Sequence, residues 1–514
     1  MCGLLYTNAN ILKSEFEKAL HSMSYRGLDD AGNIFNRENH FLGHNRLTII
    51  GNDKKGIQPM ICENRFVIVY NGEIYNYLEL SKKHNIILEF NSDTELLLKL
   101  FVKKGKAMLN ELRGMFAFVI FDIVTKEIFV ARDRLGIKPL YFYQNNNDII
   151  FSSTVASIIS ITKDNKLDDF SLRQYKKLRN VFNNKTLFSS INIFPAGCYF
   201  ENGKIEKYWE LPSFNNNQII EPELVKEIID DSIKIHMVSD ANIGCYLSGG
   251  LDSSIVSFVA SQQRSGLNTY TIGFQENNEF NYSKIMSDSI RSNHQASLID
   301  KEEFMQLMEE MIRIKQEPLS VPNEVLLYKL TSNAKQFNKV MLSGEGADEI
   351  FFGYDRIFNW AKGAKWNIAE FSKLYSYGSE DDIEVVEDAI SSFVKNSNTT
   401  LEIVYKFFQV AHLHGLLKRL DSSSMLAGVE ARVPFVDHIV IEKLFNIRFD
   451  CKTDNSNPKK LLKLAYQNFL PKEMVARKKI GFPVDVAKII DNKYGANDYD
   501  KWLNLNIEIF NRIK

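Results

Sequence analysis

Short apolar runs between polar turns dominate the first two hundred residues: 65–70, 114–121, 127–132, 148–152 and 198–201. Runs of this length bounded by turn formers read as strands. Several are continuously apolar, which predicts strands buried in stacked sheets. Two stretches carry the helical period instead. Residues 11–24 repeat apolar positions at helical spacing, and 93–103 follow a Ser92-Asp93-Thr94-Glu95 capping signal. A polar, Asn-rich stretch at 213–218 then marks a boundary, and the rhythm changes. Apolar strands at 243–247, 268–274 and 339–342 alternate with longer helical segments. That alternation predicts a parallel sheet with helices on both faces. The end of the chain is mostly helical. The expected organisation is two domains, 1–205 and 206–514.

Bulk properties narrow the class. At 514 residues the chain exceeds a single core, and a prior of roughly 150 residues per domain allows two to four domains. Hydrophobic content of 45% and charged content of 25% are those of an ordinary globular protein. A formal net charge of -1, without a basic run, argues against a nucleic-acid partner. No apolar stretch approaches the ~20 residues of a membrane span, and a polar N-terminus argues against a signal peptide. Five cysteines, at 2, 62, 198, 245 and 451, form no CxxC pair. They read as free thiols of a reducing compartment, so the expected location is cytoplasmic.

Cys2 is the first candidate for chemistry. A small second residue permits removal of Met1, which would leave a thiol and a free α-amine on one residue. The thiol is a strong nucleophile, and an α-amine with a pKa of about 7.7–8 can take its proton. Asn71-Gly72 alone reads equally as a hairpin turn. These residues stand, however, in a longer order: Arg26-Gly27, Arg46 to Ile50, Gln58-Pro59-Met60, Asn71-Gly72-Glu73-Ile74-Tyr75-Asn76, Ser92 to Glu95, Arg113 to Phe118 and Arg132 to Tyr141. In that order the chain resembles the class II, N-terminal nucleophile glutamine amidotransferases.

The resemblance implies an αββα sandwich for the first domain. It implies that Cys2 attacks the glutamine side-chain amide, with Asn71 and the Gly72 N–H forming the oxyanion hole. Arg46 would grip the substrate's α-carboxylate, Ile50 would line the pocket, and Glu73 and Asp93 would hold its α-ammonium. Tyr25, Leu28 and Thr154 depart from the residues usual in that family. None is a chemical group of the mechanism, and the expected consequences are for domain communication or glutamine affinity.

The second half carries a phosphate loop. An apolar strand ending at Tyr246-Leu247 runs into Ser248-Gly249-Gly250-Leu251-Asp252-Ser253-Ser254, and a helix follows. Glycines let the backbone approach an anion, and the helix N-terminus offers free N–H groups and a favourable dipole. The lysine of a Walker A loop is missing. Further on, Ser343-Gly344-Glu345-Gly346-Ala347-Asp348-Glu349 again follows a strand. Its acids suit Mg²⁺ beside a triphosphate, or the N-terminus of a helix.

SGGxDS resembles the PP-loop of ATP pyrophosphatases. With Asp421, Gly428 to Asp437, Lys459 to Lys463 and Arg477-Lys478-Lys479-Ile480-Gly481-Phe482, the resemblance narrows to asparagine synthetase-like enzymes over nearly the whole chain. It implies a doubly wound parallel-sheet PP-loop domain with a helical C-terminal part, so the fold class is α/β with α+β. It implies ATP and Mg²⁺, the metal held by Asp252 and Asp348. Glu345 would support formation of an acyl-adenylate, and Lys459 would neutralise charge near the α-phosphate, with Lys460 and Lys463 as alternatives. Ser248, Gly249, Gly250, Ser253 and Ser254 would cradle phosphates, while Ser343, Gly344, Ile272 and the backbone at Tyr246 would hold the adenosine.

The expected activity is glutamine-dependent synthesis of asparagine from aspartate, with release of AMP and pyrophosphate. Two sites on separate domains call for an internal ammonia channel, and homodimers are common in that family. The segment Glu317-Pro318 to Val321-Pro322-Asn323 departs from the family pattern, and the tail past Phe482 is short. The same chemistry on a sugar uronate or a cell-wall diamino acid therefore stands as a rival. A non-catalytic regulatory relative should have lost a nucleophile or a phosphate-loop acid. Cys2, Asn71, Asp252, Glu345, Asp348 and Lys459 are all present.

Overall fold

A computed structural model describes residues 2–51, 56–378, 381–454, 457–477 and 484–514. Twelve N-terminal strands form two antiparallel sheets. The first contains β1 (Gly3–Thr7), β2 (Asp30–Arg37), β3 (His40–Arg46), β8 (Tyr141–Asn145), β9 (Asp148–Ser152) and β10 (Ile191–Ile193), ordered β10-β8-β9-β1-β3-β2. The second contains β4 (Met60–Cys62), β5 (Phe66–Ile74), β6 (Gly114–Asp122), β7 (Ile128–Arg132), β11 (Cys198–Glu201) and β12 (Lys204–Lys207), ordered β12-β11-β7-β6-β5-β4.

The continuous apolar runs have a simple cause. Leu4, Tyr6, Val67, Val69, Val119 and Phe121 point into the layer between the sheets. Their neighbours Leu5, Ile68, Tyr70, Phe118 and Ile120 point the other way, into a second core that includes helical residues such as Phe16, Leu20 and Leu97. A strand alternates faces with period two, so a strand covered on both faces is apolar throughout. This is the expected αββα sandwich.

Three local readings change. The helix Asp93–Lys104 starts where expected, but no capping box forms at Ser92. The Glu95 carboxylate instead accepts the backbone N–H groups of Glu89 and Phe90, at 2.8 Å each. Asn71-Gly72 is no turn: it lies inside β5, with Asn71 opposite Ala117 and Gly72 opposite Phe116. A Cβ on Gly72 would fall 2.1 Å from the Met115 carbonyl oxygen, so only glycine fits this approach of β5 to β6. Residue 205, the expected end of the first domain, falls within β12.

After the helix Pro222–Ile235, five parallel strands form the other sheet: β13 (Ile243–Tyr246), β14 (Asn268–Gly273), β15 (Asn293–Leu298), β16 (Val340–Leu342) and β17 (Glu430–Arg432). Their order is β15-β14-β13-β16-β17. The chain winds outward from β13 through β14 to β15, then crosses back to β16 and β17. The winding therefore reverses between β13 and β16. In such sheets the ligand crevice opens at the carboxyl ends of the strands beside that reversal. Ser248–Ser254 follows β13 and Ser343–Glu349 follows β16, so topology alone brings the two predicted phosphate motifs together.

Candidate active sites

Cys2 immediately precedes β1, and the pairing of Gly3 with Asn45 puts it beside Arg46 at the end of β3. It is buried. Its main-chain nitrogen donates to Asn71 Oδ1 at 3.0 Å, and its Sγ lies 3.9 Å from the Leu47 carbonyl oxygen. The first of these is the nitrogen that becomes the α-amine once Met1 is removed. Burial pushes the Cys2 thiol up, against the pull of Arg46, so the nucleophile needs a base close by. Asn71 Nδ2 is buried with no hydrogen-bond partner among the described residues. An unpaired buried donor costs ~1–3 kcal/mol, and an oxyanion forming beside Cys2 would satisfy it.

The predicted glutamine clamp is gathered around this pair. Arg46 Nη2 donates to the carbonyl oxygens of Gly51 (2.7 Å) and Ile50 (3.4 Å). Asp93 Oδ2 accepts from the Tyr70 hydroxyl at 3.0 Å and the Ile74 N–H at 3.1 Å. Burial nevertheless raises its carboxyl to about 6, with those hydrogen bonds pulling the other way. Glu73 Oε2 lies 3.7 Å from Arg432 Nη2, a residue of the parallel sheet. Burial, reinforced by the charge of Glu430, holds the Glu73 carboxyl well above the usual range.

At the second site, Gly250 opens the helix Leu251–Gln263 without a side-chain cap. The Ser248 hydroxyl accepts the Gly250 N–H at 3.3 Å and lies 3.1 Å from Ser253 Oγ. Ser254 Oγ is buried without a partner among the described residues. Free N–H groups, a helix dipole and an unsatisfied hydroxyl together form an anion site. Tyr246 and Ile272 lie buried at the ends of β13 and β14; the Tyr246 hydroxyl meets Thr331 Oγ1 at 2.8 Å.

Lys459 closes the crevice. Its ammonium is 2.6 Å from Asp252 Oδ2 and 2.7 Å from Asp348 Oδ1. Burial opposes its charge, yet the two carboxylates hold Lys459 above its usual range. Lys459 has φ +57°, an uncommon backbone for a residue with a side chain and one that marks functional sites. The two neighbouring lysines point elsewhere, Lys463 to Asn457 Oδ1 at 2.7 Å and Lys460 towards Asp454 at 3.8 Å. Gly353 is required here: a Cβ would fall 1.8 Å from Asp348 Oδ1 and 2.6 Å from Lys459 Cε.

Asp252 and Asp348 thus hold one cation, the Lys459 ammonium, between them. Two carboxylates plus substrate phosphates are the usual Mg²⁺ donor set, so the residues fit that ion. Glu345 pairs with Arg419 at 3.0 Å. Burial, with the charges of Asp348 and Glu345 added, raises Glu349 to about 7; the Tyr354 hydroxyl donates to it at 2.7 Å.

Four arginines were not assigned roles from the sequence. Arg477 donates to the Gly249 carbonyl at 2.8 Å, stacks 3.9 Å above the Tyr282 ring and pairs with Glu279. It is the one residue of the 477–482 motif within the described residues; 478–482 lie outside them. Arg419 holds Glu345, and Arg432 approaches Glu73. Arg26 donates from Nε to the Cys2 carbonyl at 3.2 Å and from Nη1 to Asp421 Oδ2 at 2.9 Å, with Arg26 and Asp421 both buried. Arg26 and Asp421 both stand in recognised motifs, but their contact spans 395 residues, and no local spacing reports it.

A cavity of about 190 Å³ lies between the two halves of the molecule, beside a smaller one. Pro139, Tyr141, Lys418 and Asp421 line both. Two of the departures from the family pattern, Tyr25 and Thr154, line the smaller cavity, and a third, Leu28, packs against Gly428. Among the described residues no helix is long and apolar enough to cross a membrane.

The family described as Asparagine synthase matches residues 224–506, and the Glutamine amidotransferase domain matches residues 1–209. A Methanocaldococcus jannaschii protein bearing an asparagine synthetase name is 36% identical over 391 residues, 69% of this chain and 76% of that one. Asparagine synthetase [glutamine-hydrolyzing] 1 of Bacillus subtilis is 29% identical, over 94% of this chain and 85% of its own length. The solved structure described as the allosteric regulatory enzyme of purine biosynthesis aligns with 52% of this chain and 64% of its own, at 16% identity and a TM-score of 0.32. The two geometries and the two matched families agree, and the chain belongs to the asparagine synthase family.

Proposed function

We propose that the protein amidates a carboxylate, aspartate first among candidates, with glutamine as nitrogen donor and ATP as activator. Cys2 attacks the glutamine amide carbon and gives its proton to the α-amine. The oxyanion is met by Asn71 Nδ2 and the Gly72 N–H. Ammonia leaves, and water later releases glutamate from the thioester. At the second site the acceptor carboxylate attacks the α-phosphorus of ATP and pyrophosphate departs. Lys459 neutralises charge on the reacting phosphate, while Ser248–Ser254 holds the leaving pyrophosphate. Mg²⁺ between Asp252 and Asp348 would supply electrostatic stabilisation of that leaving group. Ammonia then attacks the acyl carbon of the adenylate, with Glu345 alongside, and AMP leaves.

The observation that carries this reading is that one chain holds both a thiol site and a phosphate-loop site, and that a buried ion pair ties the thiol site to the wall of the cavity between the two halves. Arg26 bonds the carbonyl of the nucleophile itself and, at its other end, Asp421 at the wall of the interdomain cavity. That cavity is our candidate route for ammonia.

A second reading keeps the chemistry and changes the acceptor. It is favoured by the unusual 317–323 segment. Glu317 pairs with Lys418 at 2.8 Å, and the C-terminal helix braces the segment: Leu319 N–H donates to Asn506 Oδ1 at 3.0 Å. Measuring AMP release across a panel of amino-acid, uronate and diamino-acid carboxylates tests the assignment. We expect stimulation by aspartate. No response to aspartate, with a response to another carboxylate, transfers the reading to that acceptor.

A further inference from the structure

Arg432 sits fully buried at the end of β17, and it touches both sites. Its backbone carbonyl accepts the Ser343 N–H at 2.9 Å, at the start of the loop that carries Gly344 and Glu345. Its side chain points the other way. Nε donates to Glu430 Oε1 at 2.6 Å, and Nη1 donates to the carbonyls of His236 and Val238, both at 2.7 Å. The remaining nitrogen, Nη2, lies 3.7 Å from Glu73 Oε2, and neither atom makes a hydrogen bond among the described residues. Three of its contacts are therefore fixed, and the fourth has slack.

The turn that Arg432 fixes reaches the same glutamine pocket by a second path. Asp240, just past Val238, accepts the Gly51 N–H at 2.9 Å, and its own N–H donates to the Ile49 carbonyl at 3.0 Å. Gly51 in turn holds Arg46. Both charged ends of the predicted glutamine clamp, Arg46 and Glu73, are thus braced from the parallel-sheet domain, and both braces meet at Arg432.

We propose that Arg432 is a positioning residue that couples the two sites, so that occupancy of the ATP loop at Ser343 alters glutamine affinity through Glu73. The proposal rests on the reading of Glu73 as a ligand of the glutamine ammonium. Coupling of this kind is reciprocal: glutamine must change ATP affinity by the same factor. A ligand that draws Ser343 towards itself pulls on the Arg432 main chain, and the loose Nη2 contact is the part free to respond. Sites coupled through shared contacts commonly differ by about fivefold or more.

The test uses the full-length Cys2→Ala protein, which binds glutamine without turnover. Glutamine dissociation constants are measured by calorimetry with and without MgATP, and MgATP constants with and without glutamine. We expect both ratios to differ from one by the same factor, about fivefold. Adding Arg432→Met should bring both ratios to one. Should that variant not fold, Glu430→Gln serves. Among the described residues it leaves Glu73 as the one carboxylate facing the Arg432 guanidinium, so glutamine binding weakens and the MgATP effect shrinks. Ratios of one in the parent protein overturn the proposal. So does a folded Arg432→Met or Glu430→Gln variant that retains the parent ratio, because a merely structural role would shift both constants without changing it. A Glu73→Gln variant with unchanged glutamine affinity would instead remove the reading of Glu73 and leave the coupling measurement standing.

Discussion

The two sites solve the problem of holding charge in opposite ways. The Cys2 site is buried and leaves a donor unsatisfied among the described residues, Asn71 Nδ2, where the proposed reaction would form an oxyanion. The Lys459 site sits at the mouth of a parallel sheet, and its charges are mutually paired: Lys459 with Asp252 and Asp348, Glu345 with Arg419, Arg477 with Glu279. The first is organised before substrate arrives, so its cost is met by folding. In the proposed reaction the second would exchange its internal ion pairs for those of ATP, the metal and the acceptor. The thiol site should therefore act with little rearrangement, whereas the phosphate site should respond to what binds it.

Substitutions that silence one site and spare the other test this contrast most sharply. Cys2→Ala should abolish glutamine-driven amidation, by about 10³-fold or more, while leaving ammonia-driven amidation intact. Assays with each nitrogen donor check it, and loss of both activities in a folded variant would dissolve the two-site scheme. Lys459→Met should cut amidation about 10³-fold with either donor while glutamine hydrolysis continues. Retained ATP–pyrophosphate exchange would contradict the role of Lys459. Asn71→Ala should lower the glutaminase kcat about 10²-fold with a smaller change in KM, as expected for a donor used in the transition state. An equal loss in KM alone would assign Asn71 to ground-state binding.

The smallest effect is the pH response. The Asp93 carboxyl, raised to about 6 by burial, ionises later in the folded protein than at its ordinary value of 3.8. Its contribution to folding is therefore greatest below about 3.8 and is lost as pH rises through about 6. In the proposed clamp, glutamine's ammonium needs the ionised form. The glutamine KM should then rise about tenfold per pH unit below 6. A flat KM between pH 5 and 7 would remove Asp93 from the clamp.

The strands were legible because most β5 and β6 residues are buried on one face or the other, and burial writes itself as apolar runs. The phosphate crevice was legible because a glycine-rich loop needs particular residues in consecutive order. The capping signal at Ser92 misled because Glu95 found two backbone donors, at Glu89 and Phe90, in an adjoining loop. The Arg26–Asp421 and Arg432–Glu73 contacts were hidden for a different reason. They join halves of the chain hundreds of residues apart, and a buried ion pair has no local spacing to betray it. What the sequence named was the chemistry within each site; the structure added the charged links between them.

The central claim is that nitrogen freed at Cys2 is consumed at the Lys459 site. Glutamine labelled with ¹⁵N at the side-chain amide, supplied with excess unlabelled ammonium, tests it most directly through mass spectrometry of the amidated product. We expect a product rich in ¹⁵N with the intact enzyme, and an unlabelled product with Cys2→Ala. An unlabelled product from the intact enzyme, while glutamine is being hydrolysed, would contradict it.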